Sequence, residues 1–78
     1  MSIHIGNRIR EELEIQGRTK VWFAQEINRS ESVCYTILKR SYIDTDLLNT
    51  ICKVLKHDFF KELSDDLQNS IGFHSEIR

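Results

Sequence analysis

Apolar residues recur along this chain at the spacing of helical faces. Ile5, Ile9 and Leu13 stand four residues apart, which stacks them on one side of a helix and leaves Arg8, Arg10, Glu11, Glu12 and Glu14 for the other. Gly17 is placed to end that helix, because glycine just past a last turn adopts the left-handed backbone that closes the final carbonyls. Thr19 is positioned as the N-cap of a short second helix in which Phe23 and Ile27 face inward with Ala24 beside them. Asn28, Arg29 and Ser30 then make a three-residue turn, since Asn tolerates left-handed backbone and Ser30 can cap the next helix.

The third helix is predicted over residues 31–39, with Val33, Cys34, Ile37 and Leu38 as its apolar set and Glu31, Ser32, Tyr35 and Thr36 on display. After a loop at 40–43, Asp44 caps a fourth helix whose face of Leu47, Leu48, Ile51, Cys52, Val54 and Leu55 makes it the longest expected element. Asp58 caps a last short helix containing Phe59, Phe60 and Leu63. Beyond Ser64 the period fails, so residues 65–78 read as a frayed or partner-dependent tail on a domain of residues 1–64. With no proline and three glycines in 78 residues, helices are the default and the fold class is all-α.

A chain of this length is expected to hold one modest core, and no second catalytic domain is expected within it. Cys34 and Cys52 sit among apolar neighbours without Cys or His at metal-ligand spacing, so they read as buried thiols, and no metal or cofactor is expected. The first residues become charged too early for a secretory leader and no apolar run reaches membrane length; a cytoplasmic setting is expected. No His and Asp are spaced to make Ser30 a nucleophile, and no enzymatic activity or small-molecule substrate is expected.

The formal net charge of −1 is not that of a strongly basic nucleic-acid binder, but its distribution is uneven. Residues 18–43 carry the bases Arg18, Lys20, Arg29, Lys39 and Arg40 against only Glu26 and Glu31, a local net of +3. The acids gather on either side, and screening confines their reach to about 8–10 Å.

Two short helices joined by a three-residue turn suit the motif in which one helix crosses the DNA backbone and the next enters the major groove. Phe23, Ile27, Cys34 and Ile37 supply apolar residues to lock the pair, Ala24 a small one for close approach, and Glu31, Ser32 and Thr36 polar groups for base edges.

Those residues resemble the Cro/repressor-like helix-turn-helix regulators of bacteria and phage, the XRE family. The likeness spans residues 5–63 and includes Gly17 and Thr19, Phe23-Ala24, the Ser30 cap and Leu48, Ile51 and Leu55. The strings Gly17-Arg18-Thr19, Trp22-Phe23-Ala24, Ile43-Asp44-Thr45-Asp46-Leu47-Leu48 and His57-Asp58-Phe59-Phe60 look closer still to short regulators common in Bacteroides-like bacteria. The resemblance implies a compact five-helix bundle of the lambda-repressor-like type whose third helix reads double-stranded DNA. By position it implies base contacts from Glu31, Ser32 and Thr36, with Tyr35 and Val33 behind them. Lys20 stands where the family commonly has a phosphate-anchoring glutamine, and Arg29, Lys39, Arg40 and Tyr42 are the further phosphate contacts. Glu31 at the tip repels phosphates unless it accepts from a cytosine amino group.

The function expected is a sequence-specific transcriptional regulator, of repressor type, with a homodimer inferred because one small module buries little surface on DNA. The rival is a protein-interaction module on the same scaffold, antitoxin-like or an accessory subunit, which the weak net charge and Glu31 would permit. Elsewhere the ordinary readings apply. Glu11, Glu12 and Glu14 form a solvated face, Trp22 pads the core edge, His57 is a solvent-side residue of a connection, and His4 and His74 have no visible partner.

Overall fold

The computed structural model describes residues 3–71, with side chains described as far as residue 68. They form five helices: α1 (Ile5–Ile15), α2 (Lys20–Glu26), α3 (Glu31–Lys39), α4 (Thr45–Leu55) and α5 (Phe59–Ile71). Among the described residues there is no strand, and no helix is long and apolar enough to cross a membrane.

Short polar side chains start the helices where the sequence places them. Thr19 accepts from the Trp22 amide at 3.0 Å, Ser30 from Val33 at 3.3 Å, Asp44 from Leu47 at 2.8 Å and Asp58 from Lys61 at 3.0 Å. His4, expected to lack a partner, caps α1: its Nδ1 accepts from the Asn7 amide at 3.1 Å. Left-handed residues close the far ends of α1, α2 and α4. Gly17 follows α1 at φ 69°, and the Arg18 amide reaches back to the Leu13 carbonyl at 2.8 Å. Asn28 does the same for α2 at φ 60°, with Arg29 donating to Ala24 at 2.9 Å. Lys56, at φ 52°, ends α4 with His57 donating to Cys52 at 3.1 Å.

The core draws on every helix: Ile5, Ile9 and Leu13 from α1, Phe23 and Ala24 from α2, Cys34, Ile37 and Leu38 from α3, Leu48, Ile51 and Leu55 from α4, and Phe59 from α5, with Ile27 beside them. α3 lies against both α1 and α2. The N-terminus of α1 meets the end of α3 directly. The Gly6 amide donates to the Arg40 carbonyl at 2.9 Å and the Ile5 amide to Ser41 at 3.2 Å, so unpaired groups at two helix ends satisfy each other. A Cβ on Gly6 would lie 2.4 Å from the Leu38 carbonyl oxygen and 2.5 Å from that of Arg40.

The structure departs from the sequence pattern elsewhere too. α5 continues past Ser64 to Ile71 and, at 13 residues, is longer than the 11-residue α4; residues 72–78, the rest of the expected tail, lie outside the described residues. Glu12 is buried, 9 % exposed, instead of solvated with Glu11 and Glu14. His57 turns inward to Glu62 and sets its ring against the edge of Phe59, the centroids 4.6 Å apart. Cys52 is only half-buried, whereas Cys34 is buried as expected, and both are free thiols.

Candidate nucleic-acid interface

The back of α3 is fixed and its front is open. Cys34, Ile37 and Leu38 are buried, and the Cys34 thiol donates to the Lys20 carbonyl at 3.7 Å, tying the start of α2 to the middle of α3. Burial pushes the Cys34 thiol above its ordinary pKa. Glu31, Ser32, Val33, Tyr35, Thr36 and Lys39 are all exposed. Glu31 and Lys39 stand at the two ends of α3, acid at the N-terminus and base at the C-terminus, as the helix dipole favours.

Two flanks border this front edge. On the α2 side, the Lys20 ammonium lies 5.5 Å from the centre of the Tyr35 ring, a cation held over an aromatic face that is itself 47 % exposed. On the α4 side, a groove of about 350 Å³ runs between α3 and the start of α4. Val33, Ile37 and Leu47 contribute apolar surface to it, Ser32 and Thr36 its α3 edge, and Arg29 and Arg40 bring guanidinium groups. Asp44 also lines it, with one carboxylate oxygen accepting from the Leu47 amide. On α3 the Thr36 hydroxyl donates to the Ser32 carbonyl at 3.1 Å. Tyr42, in the loop after α3, is 79 % exposed.

The structure thus brings Lys20, Glu31, Ser32, Tyr35 and Thr36 to one surface with Arg29, Arg40 and Lys39, and sets Tyr42 on the loop beside it. Val33, a lesser candidate in the sequence, belongs to the same surface and is 42 % exposed. Its apolar character and its place one turn before the buried Ile37 made it look like core. Trp22 is half-buried against the core with the Arg18 guanidinium 4.4 Å over its ring. Phe59 is wholly buried.

A second polar cluster escaped the sequence reading. Arg8 of α1 donates to both oxygens of Glu62 on α5, at 2.6 and 2.7 Å, and to Glu11 at 2.9 Å. His57 pairs with the same Glu62 carboxylate, and Gln16 bridges Glu12 at 3.0 Å and the Leu55 carbonyl at 2.7 Å. Hydrogen bonds from Arg8 hold the Glu62 carboxyl below its ordinary pKa, with His57 adding to the effect, and the Glu62 bond raises that of Arg8. Its members lie on α1 and the residue after it, the end of α4, the α4–α5 connection and α5, apart from the front of α3. Among the described residues no group of three or more His, Cys, Asp or Glu side chains is placed to hold a metal ion.

Comparison of the chain with protein-family models, with curated proteins and with solved structures finds no match.

Proposed function

We propose that this protein is a sequence-specific DNA-binding regulator that inserts α3 into the major groove. The observation that carries this reading is the placement of cations on both flanks of an exposed polar helix edge: Lys20 beyond Tyr35, and Arg29 and Arg40 beyond Val33. A helix lying in the major groove has a phosphate strand on each side, so cations are needed on both flanks and base-reading groups between them. Ser32 and Thr36 occupy that middle ground, with Lys39 at its far end. Tyr42 adds a backbone contact from the loop. The protein acts in this reading as a repressor-type regulator in the cytoplasm, and as a homodimer, since a single module of this size covers little DNA.

Selection of bound sequences from random duplexes, repeated at two salt concentrations, is the test. Four phosphate-contacting cations predict an affinity loss of about 100-fold between 50 and 200 mM salt, together with an enriched consensus. The absence of any consensus at low salt would leave the rival, a protein-interaction module. Glu31 at the tip of α3 and the exposed Tyr42 ring favour that alternative.

A further inference from the structure

The front of α3 carries an uneven set of chemical groups. Glu31 places a carboxylate, a hydrogen-bond acceptor, at the leading end. Val33, two residues and just over half a turn further on, stands at the other margin of the exposed face and leaves 42 % of its surface in water. The Thr36 hydroxyl already donates to the Ser32 carbonyl, so what it offers outward is an acceptor and a methyl group. Ser32 and Tyr35 hydroxyls donate or accept and discriminate little on their own.

Apart from Lys39 at its far end, this edge carries no side chain that makes the usual contacts to guanine or adenine. Guanine presents two acceptors to the major groove and is read by a guanidinium or ammonium, while adenine is read by an Asn or Gln amide. Residues 31–39 contain no Arg, Asn or Gln. The nearby cations lie elsewhere: Lys20 over the Tyr35 ring, Arg29 and Arg40 along the groove, and Lys39 about 12 Å along the helix axis from Glu31.

We propose that α3 reads pyrimidines, with Glu31 accepting from a cytosine amino group and Val33 packing on a thymine 5-methyl group. The inference rests on the DNA reading above and supplies the base chemistry of that surface. The thymine methyl is the apolar group that the major groove displays, and Val33 is an exposed apolar side chain that lines the groove together with Ser32 and the two arginines. Arg29 and Arg40 then hold the phosphates of the strand whose thymine Val33 touches.

The test starts from a duplex recovered by selection with the full chain. Replacing its thymines by uracil one at a time removes only the 5-methyl group. One such replacement per bound site is expected to weaken binding about fourfold, the effect of exposing one methyl. Replacing guanines by 7-deazaguanine is expected to leave affinity nearly unchanged. Val33→Ala should bind thymine and uracil duplexes equally, and Glu31→Gln should exchange a preferred cytosine for adenine on re-selection. Both positions are exposed on a helix, and the helical circular dichroism of each variant checks that it has folded. Uracil duplexes that bind as well as thymine duplexes, or one 7-deazaguanine that weakens binding about tenfold, overturn the base assignment while the bound duplex keeps the DNA reading in place. Selection that enriches no duplex removes both.

Discussion

Arg8 and Glu62, 54 residues apart in sequence, meet through two parallel hydrogen bonds of 2.6 and 2.7 Å that fasten α1 to α5. Both side chains are about three-quarters removed from solvent, with relative exposures of 25 % and 24 %. The guanidinium also lies 5.9 Å from the centre of the Phe59 ring, so the pair closes over the apolar residue that anchors α5 in the core. A bidentate, partly buried pair of this kind contributes more than an exposed one, whose typical effect is at most about 1 kcal/mol.

Glu62→Gln is therefore expected to lower stability by about 1–2 kcal/mol in urea denaturation, and to do so chiefly near neutral pH. The sign comes from the depressed Glu62 pKa. Its contribution is complete above the ordinary value of 4.5, where the unfolded chain is ionised too, and is lost as pH falls through the lower folded value. The wild type and the variant should converge in stability as the pH drops through that range. A difference that stayed constant down to strongly acid pH would show that charge at Glu62 is not what holds α5.

Gly6→Ala should destabilise by about 3 kcal/mol, because the new methyl would meet two backbone carbonyl oxygens at 2.4 and 2.5 Å and force α1 away from the end of α3. Gly17→Ala offers the contrast. Nothing lies within 4 Å of that position, so only its left-handed backbone at φ 69° opposes the change, a penalty of about 1 kcal/mol. Equal losses for the two variants, measured by denaturant midpoint, would refute the close-approach account of Gly6.

At Lys56 the backbone is left-handed with a side chain that gains nothing from it. Lys56→Gly relieves that conformation and is expected to leave stability unchanged or slightly raised. Lys53→Gly, placed within α4, should cost about 1 kcal/mol of helix propensity. Thermal melts of the two single variants decide between position and composition as the cause.

On DNA, Lys20→Ala should weaken binding to all sequences alike and reduce the slope of affinity against salt by about one unit. Thr36→Ala should instead relax base preference while leaving the salt slope intact. If both variants showed the same behaviour in titrations of matched and mismatched duplexes, the division into phosphate and base contacts would be wrong.

Much of this molecule was legible because its determinants are local. A helix cap is a bond between residues three apart, so Thr19, Ser30, Asp44 and Asp58 could be recognised from their neighbours alone. An apolar face repeats every three or four residues, so Ile5, Ile9 and Leu13, or Leu48, Ile51 and Leu55, declared their burial in advance. The candidate site was legible for the same reason, since the front and back of α3 differ in polarity within nine residues.

α5 was underestimated because Asp65 and Asp66 interrupt its apolar period, even though no glycine or proline stands between Phe59 and Ile71. The absence of a breaker was the better guide there, because backbone hydrogen bonds can extend a helix whose outer face buries nothing. Glu12 was misplaced by its charge: in sequence it sits between two solvated glutamates, and only Gln16, Arg8 and His57 around it account for its burial.

Residue order by itself determined the number of helices, the caps that start α2 to α5 and most of the side of each that turns inward, since those features are set within a turn or two of the chain. Only tertiary structure decided that Gly6 must be bare, that Arg8 finds Glu62, and that Lys20 and Arg40 come to lie on opposite flanks of α3. Those relationships join segments brought together by packing, and a one-dimensional pattern carries no record of distances between them.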